Sequence, residues 1–258
     1  MLDRYEIECE LEAPAASALY RAWDIRTGRK VVLKLTPVVE SEAPPARLAH
    51  PDIAAVHDAG LSGPLQCAVT DLFPGADLRG HIMPSRLLPL ETVLSLAARV
   101  GDALHYAHAQ GVVHGDVKPA NIVFDAASDT VKLIDFTCHS PQSECGQTGT
   151  FGYMSPERLR GGPASALSDQ FALGVTLYQL ACGHAPFAGA SRPQIAYRTA
   201  YAVHTPIRAH NAQLPARLSR ILTKALAKDP GKRYSSTGRF AAAVRELHAA
   251  LLRSVCAM

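Results

Sequence analysis

Two short polar segments of this 258-residue chain carry side chains able to hold a cation and move a proton. The first is His114-Gly115-Asp116-Val117-Lys118-Pro119-Ala120-Asn121, and the second is Ile134-Asp135-Phe136. Asp116 and Asn121 are close in sequence, and Asp135 follows on the next loop, so the three can converge on one divalent cation and one hydroxyl. Hard cations such as Mg²⁺ take oxygen ligands of this kind. Both segments lie between apolar runs, and loops held by rigid strands are where reactive groups are usually mounted. Each residue also has a plainer reading. A lone Asp on a loop is more often a turn former than a base, and Lys34 taken alone is a solvated strand-end lysine.

The elements that must position these loops follow from the hydrophobic pattern. Tyr5–Leu11 alternates apolar and polar residues, as a half-buried strand does. Ala18–Asp24 and Lys30–Leu35 read as strands joined by the turn Arg26-Thr27-Gly28-Arg29. Leu65–Leu72 is another, ending at Phe73-Pro74-Gly75. Val112–Phe124 and Val131–Phe136 read as short buried strands around a polar loop. Leu90–Gln110 has apolar residues at helical spacing (Val93, Leu94, Ala97, Val100, Leu104, Ala107). Leu167–Cys182, Leu214–Ala227 and Phe240–Cys256 also read as helices. The expected fold is α+β and bilobal: a small β-rich lobe over about 1–73 and a larger helical lobe over about 74–258, with no internal repeat.

Composition sets the class. Hydrophobic residues make up 48% and charged residues 19%, which excludes a disordered chain. The apolar stretch Phe171–Cys182 is too short to span a bilayer. The N-terminal segment is acidic and lacks the apolar core of a signal peptide, so a soluble cytoplasmic protein is expected. The six cysteines form no CxxC pair or zinc-like cluster and are expected to be free thiols. From Arg192 onward there are 12 basic and 2 acidic residues, a net +10 against −7 for the rest. Such an end could attract an acidic partner or a phosphorylated segment, although solvated helix faces are the simpler reading. Aromatic residues are not interleaved with the basic ones as on a nucleic-acid surface.

The two polar segments together resemble the catalytic and metal-binding loops of protein kinases, specifically the eukaryotic-like serine/threonine kinases of bacteria. The likeness runs nearly the whole chain. Val31-Val32-Leu33-Lys34 resembles the strand bearing the phosphate-pairing lysine. His50-Pro51-Asp52-Ile53 resembles the segment after the regulatory helix, and Gly149–Glu157 the end of the activation segment. Asp169 with Gly174 resembles the helix that anchors the catalytic loop, and Arg233 the arginine that pairs with Glu157. The resemblance implies ATP and Mg²⁺ (or Mn²⁺) as cofactors and Ser/Thr hydroxyls of protein substrates as acceptors. Asp116 would orient the hydroxyl and accept its proton, and Lys118 would stabilise the transferring phosphoryl group. Asn121 and Asp135 would hold the metal, and Lys34 would contact the α- and β-phosphates. Thr70 would be the gatekeeper, with Asp71–Phe73 as the hinge. Leu11, Leu19, Val32 and Val123 would sandwich the adenine. His114, Asp169 and the Glu157–Arg233 pair are expected to be architectural.

Departures from the family pattern qualify this expectation. Glu12, Pro14 and Ser17 stand where a phosphate-clamping loop usually has glycines, and proline cannot donate a backbone hydrogen bond. The stretch between Lys34 and His50 contains Pro37, Pro44 and Pro45, leaving space for about one helical turn. Glu40 and Glu42 are the candidates there for a lysine-pairing glutamate. Otherwise Asp135 or the nucleotide would hold Lys34. Gly115 replaces the arginine that usually meets a phosphorylated activation-loop residue, so such control is not expected. Thr137 replaces the glycine after Asp-Phe, and its β-branch restricts the backbone. Val32 narrows the adenine slot. Cys138 and Cys145 suggest a redox switch only weakly. Two other functions compete with an active kinase: a pseudokinase scaffold, favoured by the missing glycines, and a small-molecule phosphotransferase of the aminoglycoside or choline kinase kind. Lys118 and Gly149–Glu157 argue against the latter.

Overall fold

A computed structural model describes residues 2–12, 17–38, 47–136 and 151–255. Five strands form the first sheet: β1 (Tyr5–Glu12), β2 (Ala18–Asp24), β3 (Arg29–Pro37), β4 (Val56–Ser62) and β5 (Leu65–Asp71). They are antiparallel in the order β1-β2-β3-β5-β4. Because strand side chains alternate between faces, Ala22, Val31, Leu33, Cys67 and Val69 turn one way and close a small core with Tyr5. The register opposes Leu19 to Lys34 and Val32 to Thr70. These four residues therefore share the other face.

The rest of the chain builds a larger core on helices. They are α1 (Leu90–Ala109), α2 (Pro156–Leu159), α3 (Ala166–Cys182), α4 (Arg192–Tyr201), α5 (Ala216–Ala225) and α6 (Thr237–Val255). Helix α3 starts at a capping box in which Ser165 and Ser168 exchange side-chain and backbone hydrogen bonds. It stops at Gly183, whose φ of +74° is the left-handed cap that glycine adopts most readily. Fourteen of its seventeen residues are buried, so it is the central post against which α1, α5 and α6 pack. A second sheet has the order β6 (Ala76–Asp77), β7 (Ile122–Asp125), β8 (Thr130–Leu133), and its β8 packs against α1.

Residues 48–54 have no helix or strand of their own and bind to the larger lobe. Leu48 and Ile53 join its core. The Leu133 N–H donates to the Asp52 carbonyl at 2.8 Å, the Ala54 N–H donates to the Leu133 carbonyl at 3.0 Å, and Arg99 grips the Asp52 carboxylate.

The expected strands and helices are present with shifted bounds: Val131–Phe136 is strand only as far as Leu133, in β8 (Thr130–Leu133), and α2 and β6 were not expected. Of Val112–Phe124 only the last three residues are strand, in β7 (Ile122–Asp125), because the polar groups of residues 113–118 are spent on the site described below. Strand β4 and helix α4 are additions to the sequence reading. VHDAGLS has little apolar alternation, and RPQIAYRTAY is largely polar. Among the described residues no helix is long and apolar enough to cross a membrane. Cys9, Cys67 and Cys182 are free thiols. Burial pushes the Cys182 thiol up to about 11, which makes it inert as a nucleophile. Pro14, Glu40, Glu42, Pro44, Pro45, Thr137, Cys138, Cys145, Gly149 and Thr150 lie outside the described residues.

Candidate active site

The loop carrying Asp116 is built on Asp169, from the first turn of α3. One oxygen of its carboxylate accepts the His114 N–H at 2.9 Å and the other accepts the Gly115 N–H at 2.8 Å. His108 of α1 lies 2.8 Å from the same carboxylate. Asp169 is 1% exposed, so its charge is satisfied wholly by these groups, as a buried charge must be. His114, fully buried, reaches the Ile134 carbonyl at 2.9 Å and packs against the Phe136 ring at 4.7 Å. The imidazole thus braces the Asp116 loop against the Asp135 loop, the architectural role expected of it.

Gly115 joins these two supports. Its φ is +79°, where an L-side chain is strained. Its carbonyl accepts from the Arg158 guanidinium on α2. Arg158 was not anticipated from the sequence. The one available signal is that it follows Glu157 directly while Gly115 stands where arginine is usual.

The polar groups converge beyond this brace. Lys118 Nζ lies 2.6 Å from the Asp116 carboxylate. Asn121, 6% exposed, donates its amide to the Asp116 backbone carbonyl at 2.8 Å and to its carboxylate at 3.3 Å. With the nitrogen used in this way, the amide oxygen is the atom of Asn121 able to face a cation. Asp135 has a φ of +65°. A non-glycine residue held in the left-handed region marks a position fixed by its surroundings. Burial pushes the Asp135 carboxyl up, but the Lys34 ammonium, with His114 and Lys118, outweighs it and holds the group below the usual carboxylate range.

Lys34 crosses from β3 to Asp135 and pairs with it. Its strand face, with Leu19, Val32 and Thr70, therefore looks toward the Asp116 and Asp135 loops. Leu19, Val32, Thr70, Asp71, Phe73 and Val123 are all partly buried, whereas Leu11 is 46% exposed. Asp71, the last residue of β5, lies 2.5 Å from His57 on β4, a tie between neighbouring strands that the sequence did not suggest.

Glu157 and Arg233 meet as expected. The guanidinium, fully buried, donates to both carboxylate oxygens at 2.7 Å, to the Leu167 carbonyl at 2.8 Å and to the Ala227 carbonyl at 2.8 Å. This fork–fork geometry fixes direction as well as distance.

Among the described residues no group of three His, Cys, Asp or Glu side chains could hold a metal ion alone. Asn121 and Asp135 offer two oxygen donors. Mg²⁺ characteristically takes one or two protein carboxylates or amides and completes its shell with phosphate and water. The donor set therefore fits a phosphate-bound Mg²⁺.

Comparison with known proteins agrees with this geometry. Residues 17–245 match the protein kinase domain family. The chain is 32% identical to the serine/threonine-protein kinase PknB of Mycobacterium leprae, over 95% of this chain and 43% of PknB. It is 32% identical to PknL of Mycobacterium bovis, over 90% of this chain and 62% of PknL. The chain thus spans less than two thirds of either relative. The crystal structure of the Mycobacterium tuberculosis PknI kinase domain superposes with a TM-score of 0.75 at 29% identity, covering 94% of this chain and 96% of that one. With its bilobal fold and its braced Asp116 and Asp135 loops, the chain belongs to the protein kinase domain family.

Proposed function

We propose that this domain transfers the γ-phosphoryl group of Mg·ATP to Ser or Thr hydroxyls of protein substrates. The observation that carries this reading is the crossing of Lys34 to Asp135, with Asn121 and Lys118 both on Asp116. These contacts support a gathering at one place of the charged and amide side chains that this chemistry uses toward phosphate, metal and hydroxyl. Phosphoryl transfer asks little covalent work of a protein and depends on positioning and charge neutralisation.

The residue roles follow. Asp116 orients the acceptor hydroxyl and takes its proton, and Lys118 beside it neutralises charge on the transferring group. Lys34, released from Asp135, contacts the α- and β-phosphates. Asn121 and Asp135 hold the metal, which when bound neutralises charge on the phosphates. The adenine lies between Leu11, Leu19 and Val32 above and Val123 below, with Thr70 at the back and Asp71 and Phe73 on the hinge. Residues 1–73 form the nucleotide-covering lobe and 74–258 the substrate lobe, with 48–54 packed on the latter. Consumption of ATP supports a cytoplasmic location for the domain.

The test is incubation of purified protein with labelled ATP, Mg²⁺ or Mn²⁺, and a generic protein substrate. Label should appear on Ser and Thr and vanish in Asp116→Asn. Absence of transfer with either metal by a folded protein would overturn the reading and favour a scaffold. A thermal-shift titration with ATP and metal then separates a nucleotide-binding scaffold from one that binds nothing.

A further inference from the structure

Helix α4 presents a face that the catalytic reading does not use. Tyr197 and Tyr201 are four residues apart and so share one side of the helix. They are 65% and 62% exposed, and Val203 just beyond is 90% exposed. The two rings lie 5.2 Å apart. Thr199 and Ala200, on the inner side, are buried, so the tyrosines are not needed to seat the helix.

Arginines frame this aromatic pair. The Arg160 guanidinium lies 5.7 Å from the Tyr201 ring centre and donates to the Ala200 carbonyl. Arg198 donates to the Ala188 carbonyl at 2.8 Å, and Arg192 is exposed at the start of the helix. Among the described residues no carboxylate pairs with any of the three. From Gln170 to Lys228 the sequence has seven basic residues and no Asp or Glu. Lys228, whose ammonium donates to the Thr199 carbonyl at 2.6 Å, responds to the same field: burial, then Arg233 and Arg160, push it down to about 7.

Tyrosine and arginine dominate the anchoring positions of protein interfaces, and exposed apolar patches rimmed by polar groups mark interaction sites. The uncompensated positive charge selects the partner, because complementary potentials steer association and exclude like-charged surfaces. We propose that the α4 face docks an acidic segment of the protein substrate, away from the phosphoacceptor. Naming the occupant as substrate rests on the kinase reading above; the acidic docking itself does not.

The test separates the two. A fluorescent random copolymer of glutamate and tyrosine supplies acidic and aromatic side chains without a Ser or Thr acceptor, so its binding is read by anisotropy independently of catalysis. Binding should weaken about tenfold or more between about 50 mM and about 0.5 M salt. Arg160→Glu/Arg198→Glu should weaken it about tenfold. Arg192→Glu/Tyr197→Ser, on exposed side chains, provides a second variant should the first fold poorly. With an acidic phosphoprotein substrate, both variants should raise KM about tenfold and leave kcat and the KM for ATP unchanged. Salt-insensitive binding, or binding retained in both variants, overturns the docking site. So does a concentration-dependent dimer in sedimentation that Tyr197→Ser/Tyr201→Ser abolishes, since the face would then belong to a second copy. Variant-sensitive binding by a protein with no transfer activity supports the docking site and removes the kinase reading alone.

Discussion

Gly115 shows how much one backbone position decides. Its N–H is held by Asp169, its carbonyl by Arg158, and its φ of +79° lies where an L-residue loses about 1 kcal/mol. Gly115→Ala should therefore lower the melting temperature by about 2–4 °C. It should also reduce transfer, because Asp116 is the next residue. Thermal denaturation checks the first outcome, and an unchanged melting temperature would show that the loop accommodates a side chain. The gathering of Asp116 and Asn121 was legible from their types and spacing, whereas the place of Lys34 beside Asp135 could be read only through the resemblance to protein kinases. Arg158 was not anticipated, because a guanidinium that binds a main-chain carbonyl has no side-chain partner whose type would mark it in the sequence. The Lys34–Asp135 contact was readable only as one of several fates for Lys34, since the choice depends on how the two lobes close.

Among the elements, α2, α3 and the segment before α6 are tied by Arg233. It is fully buried and makes four hydrogen bonds of 2.8 Å or less to Glu157, Leu167 and Ala227. Arg233→Ala would strand the Glu157 carboxylate and two carbonyls and should destabilise by about 3–5 kcal/mol, measured by denaturant unfolding. Arg233→Lys should recover only part of this loss, because an ammonium cannot reproduce the planar fork. The pair also makes stability pH-dependent. Burial pushes Glu157 up, but the Arg233 hydrogen bonds outweigh it, so its folded pKa lies below the ordinary 4.5. A depressed carboxylate contributes stability above its unfolded pKa and loses it as pH falls through the folded value. The melting-temperature gap between the wild-type protein and Glu157→Gln should therefore be constant at neutral pH and shrink below about pH 4.5. A gap that stays constant to about pH 3 would mean that Glu157 is not depressed. Elements with strong periodicity, such as α1 and α3, were legible in the sequence within a residue or so. Strand β4 was not, because its stability comes from pairing with β5 and not from its own apolar pattern. Helix α4 was hidden because its outer face is aromatic and basic where a surface helix usually alternates apolar and charged stripes.

Across the whole molecule the two cores are unequal. Among the described residues six buried side chains close the core of the first sheet, whereas the helical lobe buries a continuous cluster that runs through α1, α3, α5 and α6 and takes in Leu48 and Ile53. Stability scales with buried apolar surface, so the sheet should open at lower free energy than the helices, as a separate cooperative unit. Native-state hydrogen exchange should show β2, β3 and β5 amides exchanging well before those of α1 and α3. The segment 48–54 should exchange with the helical lobe despite its place in the sequence, because its hydrogen bonds run to Leu133 and Arg99. Lys34→Met removes an ion pair that ties the sheet to the Asp135 loop. It should accelerate exchange in β3 and its neighbours while leaving α3 amides unchanged, since α3 is buried within its own lobe. Equal protection of β3 and α3, or a loss in α3 as large as that in β3, would mean that the two lobes unfold as one unit and that Lys34 stabilises the whole chain.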